Sequence, residues 1–101
     1  MKLSSKHIGQ IKDYFKTQPV LKAYLFGSYV RGEATEDSDI DLLVELDYSQ
    51  HIGLHFVQMI FDLEDMLKRK VDLVSENGLS KYIRPYIEAE KQIIYERESV
   101  G

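Results

Sequence analysis

The sequence predicts an α/β fold of the α+β kind, a small mixed β-sheet flanked by helices. Short apolar runs bounded by turn signals alternate with segments of helical period, in the rough order αβαβαβα. Two of the strand-like runs, 39–46 and 70–76, are separated by one long amphipathic segment, the connection that a parallel pair needs. At 101 residues, with 44% hydrophobic and 30% charged side chains, the chain suits one compact domain, expected over 1–101.

The elements follow in order. Ser4 or Ser5 caps a first helix that runs to about Lys16, with Ile8, Ile11 and Phe15 on its apolar face at spacings of three and four. Thr17-Gln18-Pro19 ends it, and VLKAYLF at 20–26 reads as a strand closed by Gly27. SYVRGE starts a short helix with Ser28 at its beginning, and GEATEDS is a polar loop. In DIDLLVEL, at 39–46, Ile40, Leu42 and Val44 share one face of a strand, while Asp39, Asp41, Leu43 and Glu45 share the other. A helix is expected from about Leu54 to Arg69, with Phe56, Met59, Ile60, Leu63, Met66 and Leu67 as its core stripe. Leu54, Val57 and Phe61 form a second ridge, read as a helix buried on two sides in preference to a partner or homo-oligomer surface. KVDLVSE at 70–76 is a third strand and Asn77-Gly78 a turn. A last helix is expected over Ser80 to Glu90, weakened or kinked at Pro85, with Tyr82, Ile83 and Tyr86 packing in the core. QIIYE adds a final strand.

Composition narrows the function classes. A net charge of −4 argues against a large basic footprint for direct nucleic-acid binding. With no cysteine there are no disulfides or thiolate metal sites, and no segment has the apolar length of a signal peptide or membrane span. The expectation is a cytoplasmic protein without membrane contact. His51 and His55 lie four apart, a spacing compatible with zinc, but no cysteine or nearby third ligand supports that reading and solvated or capping roles are preferred.

The carboxylates carry the chemistry. Asp39 and Asp41 leave the same face of one strand, with alpha carbons about 6.6 Å apart at a rise of roughly 3.3 Å per residue. Asp72 lies near the start of another strand able to pair beside it. Three acids sharing a site repel one another and raise at least one pKa, a conflict that a divalent cation removes. All-oxygen ligands suit Mg²⁺, and two such ions about 3.5–4 Å apart clamp an in-line displacement at phosphorus. Gly27 leaves room for an approaching phosphate, and backbone N–H groups with the Ser28 hydroxyl supply donors. Arg31, three residues on, shares a helix face with Ser28 and reaches the same phosphates. A lone D-x-D is usually a surface feature and a lone Gly-Ser usually a turn. Gly-Ser, ten residues, Asp-Ile-Asp and then Val-Asp-Leu on a later strand form a far more specific combination.

FGSYVRGEATEDSDIDLLVEL followed by VDLV resembles the minimal nucleotidyltransferases of the DNA polymerase beta superfamily, over nearly the whole chain. The family's G-S-x10-D-x-D pattern falls on Gly27, Ser28, Asp39 and Asp41, and its third carboxylate on Asp72. The resemblance implies a polymerase beta-like fold and Mg²⁺-dependent transfer of a nucleoside monophosphate from a triphosphate to a hydroxyl. It also implies an antitoxin partnered with a HEPN-domain toxin, with AMP passed from ATP to a toxin tyrosine. In that scheme Asp39, Asp41 and Asp72 hold two Mg²⁺ ions, Asp72 also accepts the acceptor's proton, and Gly27 and Ser28 seat the triphosphate. Arg31 and Ser38 are further nucleotide-binding candidates, Ser38 either orienting Asp39 or serving only the turn. Larger members carry extra domains that grip the acceptor, so a chain this small favours an acceptor that arrives on a protein partner. Two alternatives stand beside this expectation: neutralisation of a toxin by binding alone, and nucleotidyl transfer to a small molecule.

Overall fold

The computed structural model describes residues 2–98. The chain runs through α1 (Ser5–Phe15), β1 (Val20–Phe26), α2 (Ser28–Arg31), β2 (Ile40–Leu46), α3 (His55–Leu67), β3 (Val71–Ser75), α4 (Arg84–Glu90) and β4 (Gln92–Glu96), with a 3₁₀ turn at Glu76–Gly78. The strands form one mixed sheet in the order β3-β2-β1-β4. β1 is antiparallel to both β2 and β4, while β2 and β3, joined through α3, are parallel. The fold class and nearly every expected element are therefore present. No helix among the described residues is long and apolar enough to cross a membrane.

α1 begins as the sequence dictates, with the Ser4 Oγ accepting the His7 N–H at 3.1 Å. Ile11 and Phe15 are fully buried in the main core, with Ile8 packed at its margin. α3 adds Met59, Leu63 and Leu67. It stops at Lys68, which takes the left-handed conformation (φ 57°) that commonly ends a helix. The Tyr14 hydroxyl donates to Asp62 Oδ2 at 2.6 Å and ties α1 to α3.

β2 is the centre of the molecule. Ile40, Leu42 and Val44 are fully buried in the main core, and Leu43, on the opposite face, is fully buried as well. Leu43 and Ile87 of α4 are buried outside the main core cluster. Lys91, just after α4, rests 4.2 Å over the Tyr24 ring, and Tyr24 pairs with Leu43 across β1 and β2. The chain from β3 to β4 therefore passes over the face that carries Asp41.

Three expectations are corrected here. The last helix starts at Arg84, not Ser80, and Pro85 sits in its first turn. A proline there forfeits no helical hydrogen bond, so it starts the helix and does not kink it. The residues before it form a turn in which Arg84 N–H donates to Ser80 O at 3.1 Å. Tyr82, Ile83 and Tyr86 are exposed, not core. A seven-residue helix lying on one face of the sheet buries a single side chain, Ile87, and leaves Tyr86 outside. Leu54, Val57 and Phe61 are exposed too, so α3 is buried on one side only.

Candidate active site

Gly27 and Asp41 define the site. Phe26, the last residue of β1, pairs with Asp41 of β2, so the turn at Gly27 lies directly beside Asp41. Gly27 is buried with φ +78°, a conformation that L side chains rarely adopt. A Cβ built there would sit 2.1 Å from Asp41 Oδ2. The glycine is required twice over, by its backbone angle and by the carboxylate packed against it.

Asp72 reaches the site through strand register. In the parallel β2–β3 ladder Asp41 is the Cα partner of Asp72, so the two side chains stand next to each other on one face. Asp39 lies one residue before β2 and is exposed, as is Asp72, whereas Asp41 is half-buried. Burial, then the neighbouring Asp72 and Asp39, push the Asp41 carboxyl up to about 6. Arg31 opposes that rise.

The loop leading to Asp39 is fastened at several points. The Ser38 Oγ accepts the Thr35 N–H at 2.8 Å, so this hydroxyl serves the 35–38 turn. Arg69, beyond α3, donates to the Glu36 carbonyl at 2.5 Å. Ile40 N–H donates to Lys70 O at 2.9 Å, joining the starts of β2 and β3.

Arg31 does extend from α2 beside the site, but carboxylates hold it. Its Nη1 lies 3.0 Å and 3.2 Å from the two Glu90 oxygens, and its Nε 2.7 Å from Glu33 Oε1. Glu90 Oε2 also accepts the Gly27 N–H. Glu90 is the site residue that sequence reasoning missed. It ends α4 and meets Gly27 across 63 positions, and no local motif signals that contact.

The donor chemistry fits a divalent cation. Asp39, Asp41 and Asp72 offer only oxygens, and the charge conflict that raises Asp41 is one that a cation relieves. As they stand, no three acidic or histidine side chains among the described residues are gathered closely enough to hold a metal ion.

Comparison with known proteins gives the family of the chain. The polymerase beta nucleotidyltransferase family matches residues 9–100. The chain belongs to that family. A Methanocaldococcus jannaschii relative, provisionally named a protein adenylyltransferase, is 38% identical over 92 residues, which cover 89% of this chain and 87% of that one. This nucleotidyltransferase also shares its fold with a toxin–antitoxin crystallised with AMP-PNP (TM-score 0.73, 22% identity, 95% of this chain and 76% of that one). A second fold match is a complex of a tri-AMPylated Shewanella oneidensis HEPN toxin with an MNT antitoxin (TM-score 0.70, 18% identity, 94% and 74%). The chain is thus an enzyme of the nucleotidyltransferase class, and Asp41, Asp72 and Gly27 meet at one end of its sheet.

Proposed function

We propose that this nucleotidyltransferase, a single domain over 1–101, moves AMP from ATP to a tyrosine hydroxyl of a cognate HEPN-type toxin, as a cytoplasmic antitoxin. The observation that carries the reading is the register of Asp41 with Asp72, directly beside the Gly27 turn. The adenylyltransferase name of the Methanocaldococcus relative and the AMP-bearing HEPN toxin held by the Shewanella antitoxin support the nucleotide and the acceptor.

In this reading Gly27, Ser28 and Arg31 hold the triphosphate tail. Asp39, Asp41 and Asp72 hold Mg²⁺, which when bound neutralises charge on the phosphates and on the departing pyrophosphate. The acceptor oxygen attacks the α-phosphorus, the bond from that phosphorus to the bridging oxygen breaks, and pyrophosphate leaves. Asp72, exposed and on the strand beside the Asp39/Asp41 pair, takes the hydroxyl proton. Exposed Leu54 and Phe61 on α3, and Tyr82 and Tyr86 at α4, offer apolar surface to the protein that brings the acceptor.

The test is mass spectrometry of the HEPN partner after co-expression. An added AMP on a tyrosine is expected with the native chain and none with Asp39→Ala/Asp41→Ala. An unmodified partner beside the native chain refutes the transfer reading. If the double variant still silenced the toxin, neutralisation would operate by binding alone.

A further inference from the structure

The donors assigned above to a triphosphate are already engaged by a carboxylate. Glu90 Oε2 accepts the Gly27 N–H, and both Glu90 oxygens lie within 3.2 Å of Arg31 Nη1. Two acceptor oxygens presented together to a guanidinium and an amide are what a phosphate also presents. The place is otherwise poor for another anion. Asp41 stands against Gly27, with Asp72 beside it, and the Arg31 cation is what makes a further carboxylate tolerable there.

The surroundings hold the backbone of Glu90 and leave its side chain replaceable. Lys91, next in sequence, is fixed over the Tyr24 ring, and its N–H donates to Ile87 O at 2.8 Å. Lys91 Nζ also pairs with Glu88 at 2.9 Å. The Glu90 side chain itself is 22% exposed, so a rotation about its own bonds takes the carboxylate off Gly27 into solvent while α4 stays in place.

We propose that Glu90 is an intramolecular competitor of the nucleotide: its carboxylate occupies the Gly27 amide and the Arg31 guanidinium in the free protein, and the triphosphate must displace it to bind. The proposal rests on the reading of Gly27, Ser28 and Arg31 as the triphosphate seat. It makes apparent nucleotide affinity the intrinsic affinity reduced by the fraction of molecules in which Glu90 has swung away. It also gives Arg31 two partners in succession, Glu90 before nucleotide and phosphate after.

The test measures AMP-PNP binding with Mg²⁺ by calorimetry for the native chain and for Glu90→Gln. The glutamine keeps the size and a neutral acceptor but loses the charge. If Glu90 holds the seat nine-tenths of the time, Glu90→Gln binds about tenfold tighter. If instead Glu90 only supports the turn and orients Arg31, the variant binds equally or more weakly, and the competitor role is overturned while the triphosphate seat stands. If neither protein binds AMP-PNP, the seat itself is refuted, and with it the competitor. A measurement on the native chain guards against a variant that folds poorly. The Glu90 carboxyl carbon and the Gly27 amide are expected to shift together in NMR spectra as AMP-PNP is added. An unmoved Glu90 carboxyl at saturation overturns the proposal.

Discussion

The Asp41 carboxylate fills the space that a side chain at residue 27 would need, and a Cβ on Gly27 would lie 2.1 Å from Asp41 Oδ2. Gly27→Ala therefore forces either the turn or the carboxylate to move. With the positive φ added, the expected cost is roughly 1–3 kcal/mol of stability, read by denaturant melts. Nucleotide binding should fall with it if, as proposed, the displaced groups face the triphosphate. Native affinity for AMP-PNP in a folded Gly27→Ala protein would contradict this placement.

Asp41 makes the fold weaker at neutral pH. Its folded-state carboxyl titrates at about 6, above the ordinary carboxylate value of 3.8. Between those values the folded chain keeps a proton that the unfolded chain has released, so the Asp41 penalty is absent at low pH and grows as pH climbs to 6. Above 6 the full penalty persists. Asp41→Asn should raise the melting temperature at pH 7–8, flatten the slope between pH 4 and 6, and abolish transfer. A variant that melts lower than the native chain at pH 8 would show that the acid is stabilising.

Mg²⁺ at the proposed site should act on the same balance with opposite sign. A cation held by Asp39, Asp41 and Asp72 favours their charged forms, so added Mg²⁺ should raise the melting temperature at pH 7.5 more than at pH 5. Together with ATP at a hundred times its dissociation constant, the gain should approach about 2.7 kcal/mol. Equal shifts at the two pH values would point to a site away from Asp41.

Asp72→Asn separates chemistry from binding. If Asp72 accepts the hydroxyl proton, transfer slows by about 10²–10⁴-fold while AMP-PNP affinity changes much less. Single-turnover kinetics beside calorimetry would resolve the two. A loss confined to affinity would leave Asp72 as a ligand only.

Asp47 and Arg97 clamp the chain beyond β4 to the end of β2 at 2.7 Å, and Ser49 donates to the same carboxylate. The Ser49 and Arg97 hydrogen bonds hold the Asp47 carboxyl well below the usual carboxylate range. A depressed carboxyl stabilises the fold above its unfolded value near 4, and that contribution fades as acid protonates it. Asp47→Asn should lower the melting temperature most at pH 7 and progressively less as pH falls below 4. A pH-independent effect would assign the loss to packing.

Much of this architecture is legible in residue order, because β2 and α3 carry unambiguous periods and Gly27, Ser28, Asp39 and Asp41 fall within fifteen positions of one another. The strand pairing of Asp41 with Asp72 is legible only as a possibility. Its register depends on how α3 lays β3 against β2, a tertiary choice that hydrophobic period does not encode. Glu90 is invisible for the same reason, since its role exists only once α4 crosses the sheet. Tyr82, Ile83 and Tyr86 mislead because apolar side chains at helical spacing look alike whether or not anything covers them.

The division between β2 and α4 has a consequence for how heat or dilute denaturant would silence the molecule. β2 has both faces packed and pairs on both edges, while α4 is anchored by one buried residue. Amide hydrogens on β2 should exchange only when the whole chain opens, and those of α4 far sooner. Under such stress the segment carrying Glu90 would open many times within the lifetime of an otherwise intact β2, freeing Gly27 and Arg31 of their carboxylate long before Asp41 was disturbed.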